Sequence, residues 1–257
     1  MYYSNLEHFK GMSGYEIDGV WYPRVTKIIE IKAKPALYRF YAEMNNFNEG
    51  ETVKKQSATE GTLIHETVEQ ILIGQSPIVE PNIAPAIEAF LKLRENKNIQ
   101  VDEQFVEKQI VHFDERYAGT LDALALIDGK FGVLDIKTSQ AIYRDYNLQT
   151  AAYMAALQND FKNIQTRWIL RIDQIKTCLR CGATLRQKGG REKIKLPWSN
   201  GGYSEAAQNC LHQWSDLKGD VELKESPYWQ EDFAAFLGAK KLWEWENDYW
   251  LKQVGYL

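Results

Sequence analysis

Cysteine is scarce in this 257-residue chain: only Cys178, Cys181 and Cys210 occur. An odd, sparse count excludes a disulfide scaffold and fits a reducing compartment. Long hydrophobic runs are missing as well. No stretch approaches the ~18 consecutive apolar residues of a membrane span, so no membrane partner is expected. The N-terminal MYYSNLEHFKG has no apolar h-region and carries Glu7 but no Arg, so neither a secretory nor a transit peptide is readable. Glycine and proline, at 17 and 7 residues, are too few for collagen or low-complexity sequence. What is left is the expectation of a soluble, cytoplasmic globular protein. Its 44% apolar content suffices for one substantial core.

The formal net charge of −4 hides an asymmetry. Lys162, Arg167, Arg171, Lys176, Arg180, Arg186, Lys188, Arg191, Lys193 and Lys195 face only Asp173 and Glu192 across residues 162–195. A basic stretch on an otherwise acidic chain reads as a polyanion-binding face, with an exposed solubilising hairpin as the plainer alternative.

Residues 15–22 (YEIDGVWY) read as a hairpin about Asp18-Gly19, and 35–44 as a helix. Ser57 or Thr59 is placed to cap a helix running to about residue 73, ended by Gly74. Gly61, His65, Val68 and Leu72 share one of its faces. A second amphipathic helix covers 84–96, with Pro85 in its first turn. From residue 104 the pattern turns to strands: QFVEKQIVHF, then YAGTLDALALI (117–127), the Asp128-Gly129 turn, and FGVLDIKT (131–138). A helix over 145–157 and a strand over 167–173 follow. The fold class is α/β: helix, three strands, helix, strand, with helices added at both ends. The whole chain reads as a single domain, with a core at about 57–173, a basic Gly-rich insertion at about 174–200 and C-terminal helices at about 204–252. The last of these holds the Trp243, Trp245, Tyr249, Trp250 cluster. At helical spacing it fits a packed helix better than a base-stacking surface for single-stranded DNA.

The chemistry is concentrated in polar residues inside apolar strands. Asp122 (GTLDALAL) and Asp135 (GVLDIKT) are both flanked by core residues, and a buried carboxylate needs a cationic partner. The Asp128-Gly129 turn lies midway between them, which puts the two carboxylates opposite each other across the hairpin. Like charges repel there, and a hard divalent cation resolves the conflict. Lys137 shares a strand face with Asp135 and can orient water or stabilise a phosphoryl centre. A surface ion pair is the bland alternative.

Gly61-x-x-x-His65, Gly119-x-x-Asp122, Asp135-Ile136-Lys137 and Gln149-x-x-x-Tyr153 occur in this order on these elements. Together they resemble the PD-(D/E)XK nucleases, above all the RecB-like exonuclease branch that includes the CRISPR-adaptation nucleases and the mitochondrial genome maintenance exonuclease. The resemblance covers about residues 57–173, and YPRVTKII near the N-terminus adds to it. It implies a nuclease core and a Mg²⁺- or Mn²⁺-dependent DNA exonuclease, a phosphodiester hydrolase of repair, recombination or replication, acting on single-stranded or free ends. Two alternatives are a non-catalytic DNA-end-binding module of the same fold and a structure-specific endonuclease. By resemblance, His65, Asp122, Asp135 and the Ile136 carbonyl hold the metal and Lys137 positions the attacking water. Gln149 and Tyr153 support Lys137 or touch the DNA strand. Lys188 and Arg191, around Gly189-Gly190, are the expected DNA contacts, because glycines let backbone approach phosphate.

Several relatives carry a four-cysteine iron–sulfur cluster, with one Cys ahead of the core. This chain has none before Cys178, so that cluster is absent. Cys178-x-x-Cys181 and Cys210-x-His212 offer four soft ligands for structural Zn²⁺. Against zinc, Cys210 and His212 read as helical, where residues two apart diverge. A pair of free thiols is the alternative.

Overall fold

A computed structural model describes residues 3–199, 202–203 and 205–257. The ends assigned above to the basic insertion, at 200, and to the C-terminal helices, at 204, fall outside these residues.

Helix α1 (Leu6–Ser13) starts at Asn5, whose side chain accepts the His8 N–H. It leads into the hairpin β1 (Gly14–Ile17) and β2 (Val20–Pro23). Asp18 and Gly19 both take positive φ, 50° and 74°, the turn geometry an Asp-Gly pair favours. Helices α2 (Val25–Ile29) and α3 (Pro35–Ala42) follow. The next helix, α4, runs over Phe47–Leu72 and corrects the expected start near Ser57. Its cap is Asn46, which accepts the Glu49 N–H at 2.9 Å. The first half of α4 is nearly all polar and carries no apolar stripe to announce it. Helix α5 (Ala84–Asn96) has Pro in its first turn, as expected.

The central sheet is mixed. Strands β3 (Gln100–His112), β4 (Tyr117–Ile127), β5 (Lys130–Lys137) and β6 (Thr166–Thr177) lie side by side. They are antiparallel except for the parallel β5–β6 pair. Helix α6 (Asp145–Leu157) makes that parallel crossover. The sheet continues through β7 (Thr184–Lys188) and β8 (Arg191–Lys195), so the basic insertion is a regular hairpin of the sheet itself. A small hairpin, β9 (Trp198–Ser199) and β10 (Gly202–Tyr203), precedes the short α7 (Glu205–Gln208).

The region read as two C-terminal helices also holds a strand, β11 (Lys218–Glu225), antiparallel to β6. Its Val221 and Leu223 turn inward, while Asp220 and Glu222 reach Arg171. Such alternation is a strand signal that the high charge obscured. Helices α8 (Gln230–Glu246) and α9 (Asp248–Gln253) close the chain. Trp243 is buried and Trp250 stacks on Phe9, whereas Trp245 and Tyr249 are exposed.

Helices cover both faces. On one, Tyr117, Leu121, Leu124 and Val133 pack with α6, with α8 and α9 (Phe236, Leu251), and with Phe9 and Ile28. On the other, Ala123, Leu134, Ile136 and Leu170 pack with α4 (Ile64, Val68) and α5 (Ile87, Phe90). Each large side chain fully withdrawn from water contributes ~1.5–3 kcal/mol to the two layers.

The basic stretch does not form a continuous exposed face. Arg167 is buried and donates to the carbonyls of Asn147, Ser226 and Tyr228 and to Asp232, tying β6 and α6 to α8. Arg171 and Arg186 are matched by acids, Arg171 by Asp220 and Glu222 and Arg186 by Asp173. Arg191 pairs with Glu43 at 2.6 Å. Four of the ten basic side chains are met by acids in this way, Arg186 by one from within the stretch itself, while Lys162, Arg180, Lys193 and Lys195 remain exposed.

Candidate active site

Residues 121 and 123 of a regular strand would share a face, yet Leu121 packs in the α6 layer and Ala123 in the α4–α5 layer. Strand β4 therefore changes face at Asp122. Alongside, β3 shifts register between Val101 and Val106, and Glu107 takes φ 49°, a left-handed conformation costly for a non-glycine residue. This irregularity lets side chains from both helical layers meet at one place.

From α4 comes His65. Its Nε2 lies 3.2 Å from Asp122 Oδ2, and its Nδ1 lies 2.9 Å from Glu69 Oε1. Burial alone would lower the imidazole, but Asp122 and Glu69 raise it to about 10, so without a metal it is a cation between two carboxylates. Asp122 Oδ2 also accepts the Ile136 N–H at 2.5 Å. Burial pushes Asp122 up, yet Lys137, His65 and the Ile136 amide bring it below the ordinary carboxylate range.

From β5 come Asp135 and Lys137. Asp135 is 0% exposed. Its Oδ1 accepts from Lys137 Nζ at 2.7 Å and from Gln149 Nε2 at 3.0 Å. Its Oδ2 is buried with no hydrogen-bond partner. Burial raises Asp135 to about 7, against the pull of Lys137 and with Asp122 adding to the rise. Lys137 stays above its ordinary value because Asp135 and Asp122 outweigh its burial, and its ammonium also lies 5.4 Å from the centre of the Tyr146 ring.

Helix α6 supplies Gln149 and Tyr153, one turn apart, with Gln149 Nε2 donating to the Tyr153 hydroxyl at 3.1 Å. The glycines of the motifs have steric causes. A Cβ at Gly119 would meet the Tyr153 ring at 2.6 Å, and one at Gly61 would meet Thr138 Oγ1 at 2.5 Å. Gly119 makes room for Tyr153, and Gly61 lets α4 close onto the end of β5.

The structure thus brings His65 to Asp122, and Asp135 to Lys137, Gln149 and Tyr153. It does not draw His65, Asp122 and Asp135 into one compact ligand set. Among the described residues, the oxygen-rich set with ligand atoms within 4.8 Å of one another is His65, Glu69 and Glu107. Sequence reasoning missed both glutamates. Glu69 was findable, since it follows His65 by one helical turn. Glu107 was not, because alternation gives no sign of the positive φ beside it. Burial and the neighbouring Glu69 and Asp122 raise Glu107 to about 7. A second carboxylate pair thus has a like-charge conflict. An orphaned buried carboxylate oxygen, crowded carboxylates and one imidazole are a donor set that fits a hard divalent cation.

Lys188 and Arg191 sit differently from expectation. Lys188 is 7% exposed and donates to the Thr138 carbonyl at the end of β5. Burial lowers it to about 8, with Asp173 and Glu60 opposing and Arg186 adding. Arg191 lies over the Phe40 ring while paired with Glu43. The glycines between them serve packing. Gly189, at φ 62°, donates to Glu60, and a Cβ there would collide with Ser57 and the Val53 carbonyl of α4. The hairpin tip lies on α4, and Lys188 points to the margin of the site from within.

No protein-family model matches the chain, and no curated protein matches it in sequence.

Proposed function

We propose that the chain is a metal-dependent phosphodiester hydrolase of PD-(D/E)XK type, a DNA exonuclease acting at single-stranded or free ends. The observation that carries this reading is Asp135: fully buried, one oxygen shared by Lys137 and Gln149, the other without a partner. An uncompensated carboxylate oxygen costs several kcal/mol in such a place unless a cation meets it.

Mg²⁺ or Mn²⁺ would be held by Asp122, Asp135 and the Ile136 carbonyl from the strands and by His65 from α4, with Glu69 and Glu107 adjoining, although His65, Asp122 and Asp135 are not gathered into one compact set without the ion. A bound cation would polarise a phosphoryl oxygen and acidify water. The protein's own groups do the rest. Lys137, fixed by Asp135 and the Tyr146 ring, orients the attacking water and offsets charge growing on the phosphate. Gln149, braced by the Tyr153 hydroxyl, holds Asp135 and so limits the positions open to Lys137. Burial keeps the Tyr153 hydroxyl protonated, so it serves as a hydrogen-bonding prop. Lys188, its ammonium held by the Thr138 carbonyl, steadies the end of β5 at the site's margin.

The test is incubation of the purified chain with end-labelled single- and double-stranded DNA and with closed circular single-stranded DNA, in Mg²⁺, Mn²⁺ or EDTA. Shortening of linear strands, intact circles and full inhibition by EDTA are expected. Cleaved circles would move the reading to an endonuclease. Binding without cleavage in either metal would leave an end-binding module.

A further inference from the structure

The four soft side chains do converge, and they do so away from any helix. Between β6 and β7 the chain forms a tight knuckle, Cys178-Leu179-Arg180-Cys181-Gly182. The Gly182 N–H donates to the Cys178 carbonyl at 2.9 Å, and Cys178 N–H to the Ala183 carbonyl at 2.7 Å. Gly182 takes φ 74°, which favours glycine. Helix α7 ends at Gln208, so Cys210 and His212 lie in an irregular segment and the helical objection to zinc falls. That segment is laid along the knuckle: Leu179 N–H donates to the Gln213 carbonyl at 2.8 Å, Ser215 N–H to the Thr177 carbonyl at 2.9 Å, and Cys178 bridges to Trp214.

Cys178 Sγ and Cys210 Sγ are 3.9 Å apart, Cys181 Sγ and His212 Nδ1 are 3.4 Å apart, and all four ligand atoms lie within 4.8 Å of one another. A tetrahedral Zn²⁺ with bonds of ~2.3 Å to sulfur and ~2.0 Å to nitrogen has edges of ~3.5–3.8 Å. A disulfide would need sulfurs ~2.05 Å apart.

From this geometry we infer a structural Zn²⁺ site formed by Cys178, Cys181, Cys210 and the Nδ1 of His212, separate from the proposed hydrolytic centre. Four protein ligands leave no open position, so the ion binds no substrate. Three sulfurs and one imidazole select zinc over Mg²⁺ or Mn²⁺. Its work is mechanical. The knuckle is the β6–β7 connection, so the ion fixes the base of the hairpin whose tip lies on α4 and carries Lys188. It also pins the segment that leads to β11.

The test uses the full chain purified under reducing conditions without chelator. One zinc per chain is expected by elemental analysis. Cys210→Ser and His212→Ala should lose it and melt several degrees lower. Asp122→Asn/Asp135→Asn should keep it. Zinc-stripped wild type titrated with Co²⁺ should develop thiolate charge-transfer absorption and the strong d–d bands of a tetrahedral ion, a readout that needs no variant to fold. Thiol titration of a second preparation purified without reductant, then denatured and metal-stripped, should count three. Wild type that binds neither ion would overturn the inference, and so would a count of one thiol from a Cys178–Cys210 disulfide.

Discussion

Two clusters of potential metal ligands lie in this fold, and they are built in opposite ways. The oxygen-rich one stands on regular elements, with His65 and Glu69 on α4 and Asp122, Asp135 and Lys137 on central strands. It is unsettled: an unpartnered oxygen, a protonated imidazole, and carboxylates raised to about 7. The sulfur-rich one stands on a knuckle and an irregular segment, with its four ligand atoms all within 4.8 Å of one another. The first keeps charge in conflict that a ligand would resolve, as a reactive centre does. The second is closed and has nothing to offer a substrate. Rigid secondary structure carries the strained site, and the loops carry the anchor.

The largest effect expected from breaking the oxygen-rich cluster is at Lys137. If its ammonium acts on the transition state, Lys137→Ala should cut single-turnover cleavage by ~10²–10³-fold with DNA affinity changed only a few-fold. If Lys137–Asp135 is only an ion pair, the folded variant should cleave at the wild-type rate.

Metal selectivity sharpens the contrast between the clusters. Mn²⁺ titration of Asp122→Asn/Asp135→Asn should lose a site that wild type has, and with it the rise in melting temperature that Mn²⁺ gives. Cys210→Ser should retain that response. Equal Mn²⁺ binding by wild type and the double variant would remove these aspartates from the site.

The hairpin that joins the two regions gives a smaller effect. Gly189→Ala places a side chain at φ 62° against Ser57 and should cost ~1–3 kcal/mol in urea unfolding. Gly190→Ala, also at positive φ but nearest only to the end of the Gln56 side chain, should cost less. Equal costs would mean that the tip does not rest on α4.

The last effect is a pH dependence. His65 holds its proton more tightly folded, at about 10, than at the ordinary 6.5. Its contribution to the stability of the metal-free chain is therefore complete below pH ~6.5 and lost as pH rises toward 10. In EDTA, thermal melts of wild type should show more loss over that window than melts of His65→Gln. Mn²⁺ should show the opposite trend and bind more tightly as pH rises, because it must displace the proton. Parallel melting curves for wild type and His65→Gln would show that His65 does not carry this proton.

Much of this protein was determined by its sequence alone. The apolar runs around Asp128-Gly129 set β4 and β5, and the small apolar residues of 145–157 set α6. With the turn fixed, the register followed from Ile127–Lys130 as far as Ala123–Leu134, where the pairing ends one residue short of Asp122 and Asp135. Local steric and burial rules suffice for such features because each needs only its own neighbours. Tertiary structure alone decided the features that depend on remote partners. The polar first half of α4 is held in part by α3, where Gly50 lies against Tyr41. The charged strand β11 exists beside Arg171, and Arg167, Arg171, Arg186 and Arg191 are taken out of the basic run by acids at residues 43, 173, 220, 222 and 232. Glu107 joins His65 only through a bulge, and Cys210 and His212 meet the knuckle only because that segment is not helical. Charge and ligand geometry act across space, and a linear pattern records only which groups are available to act.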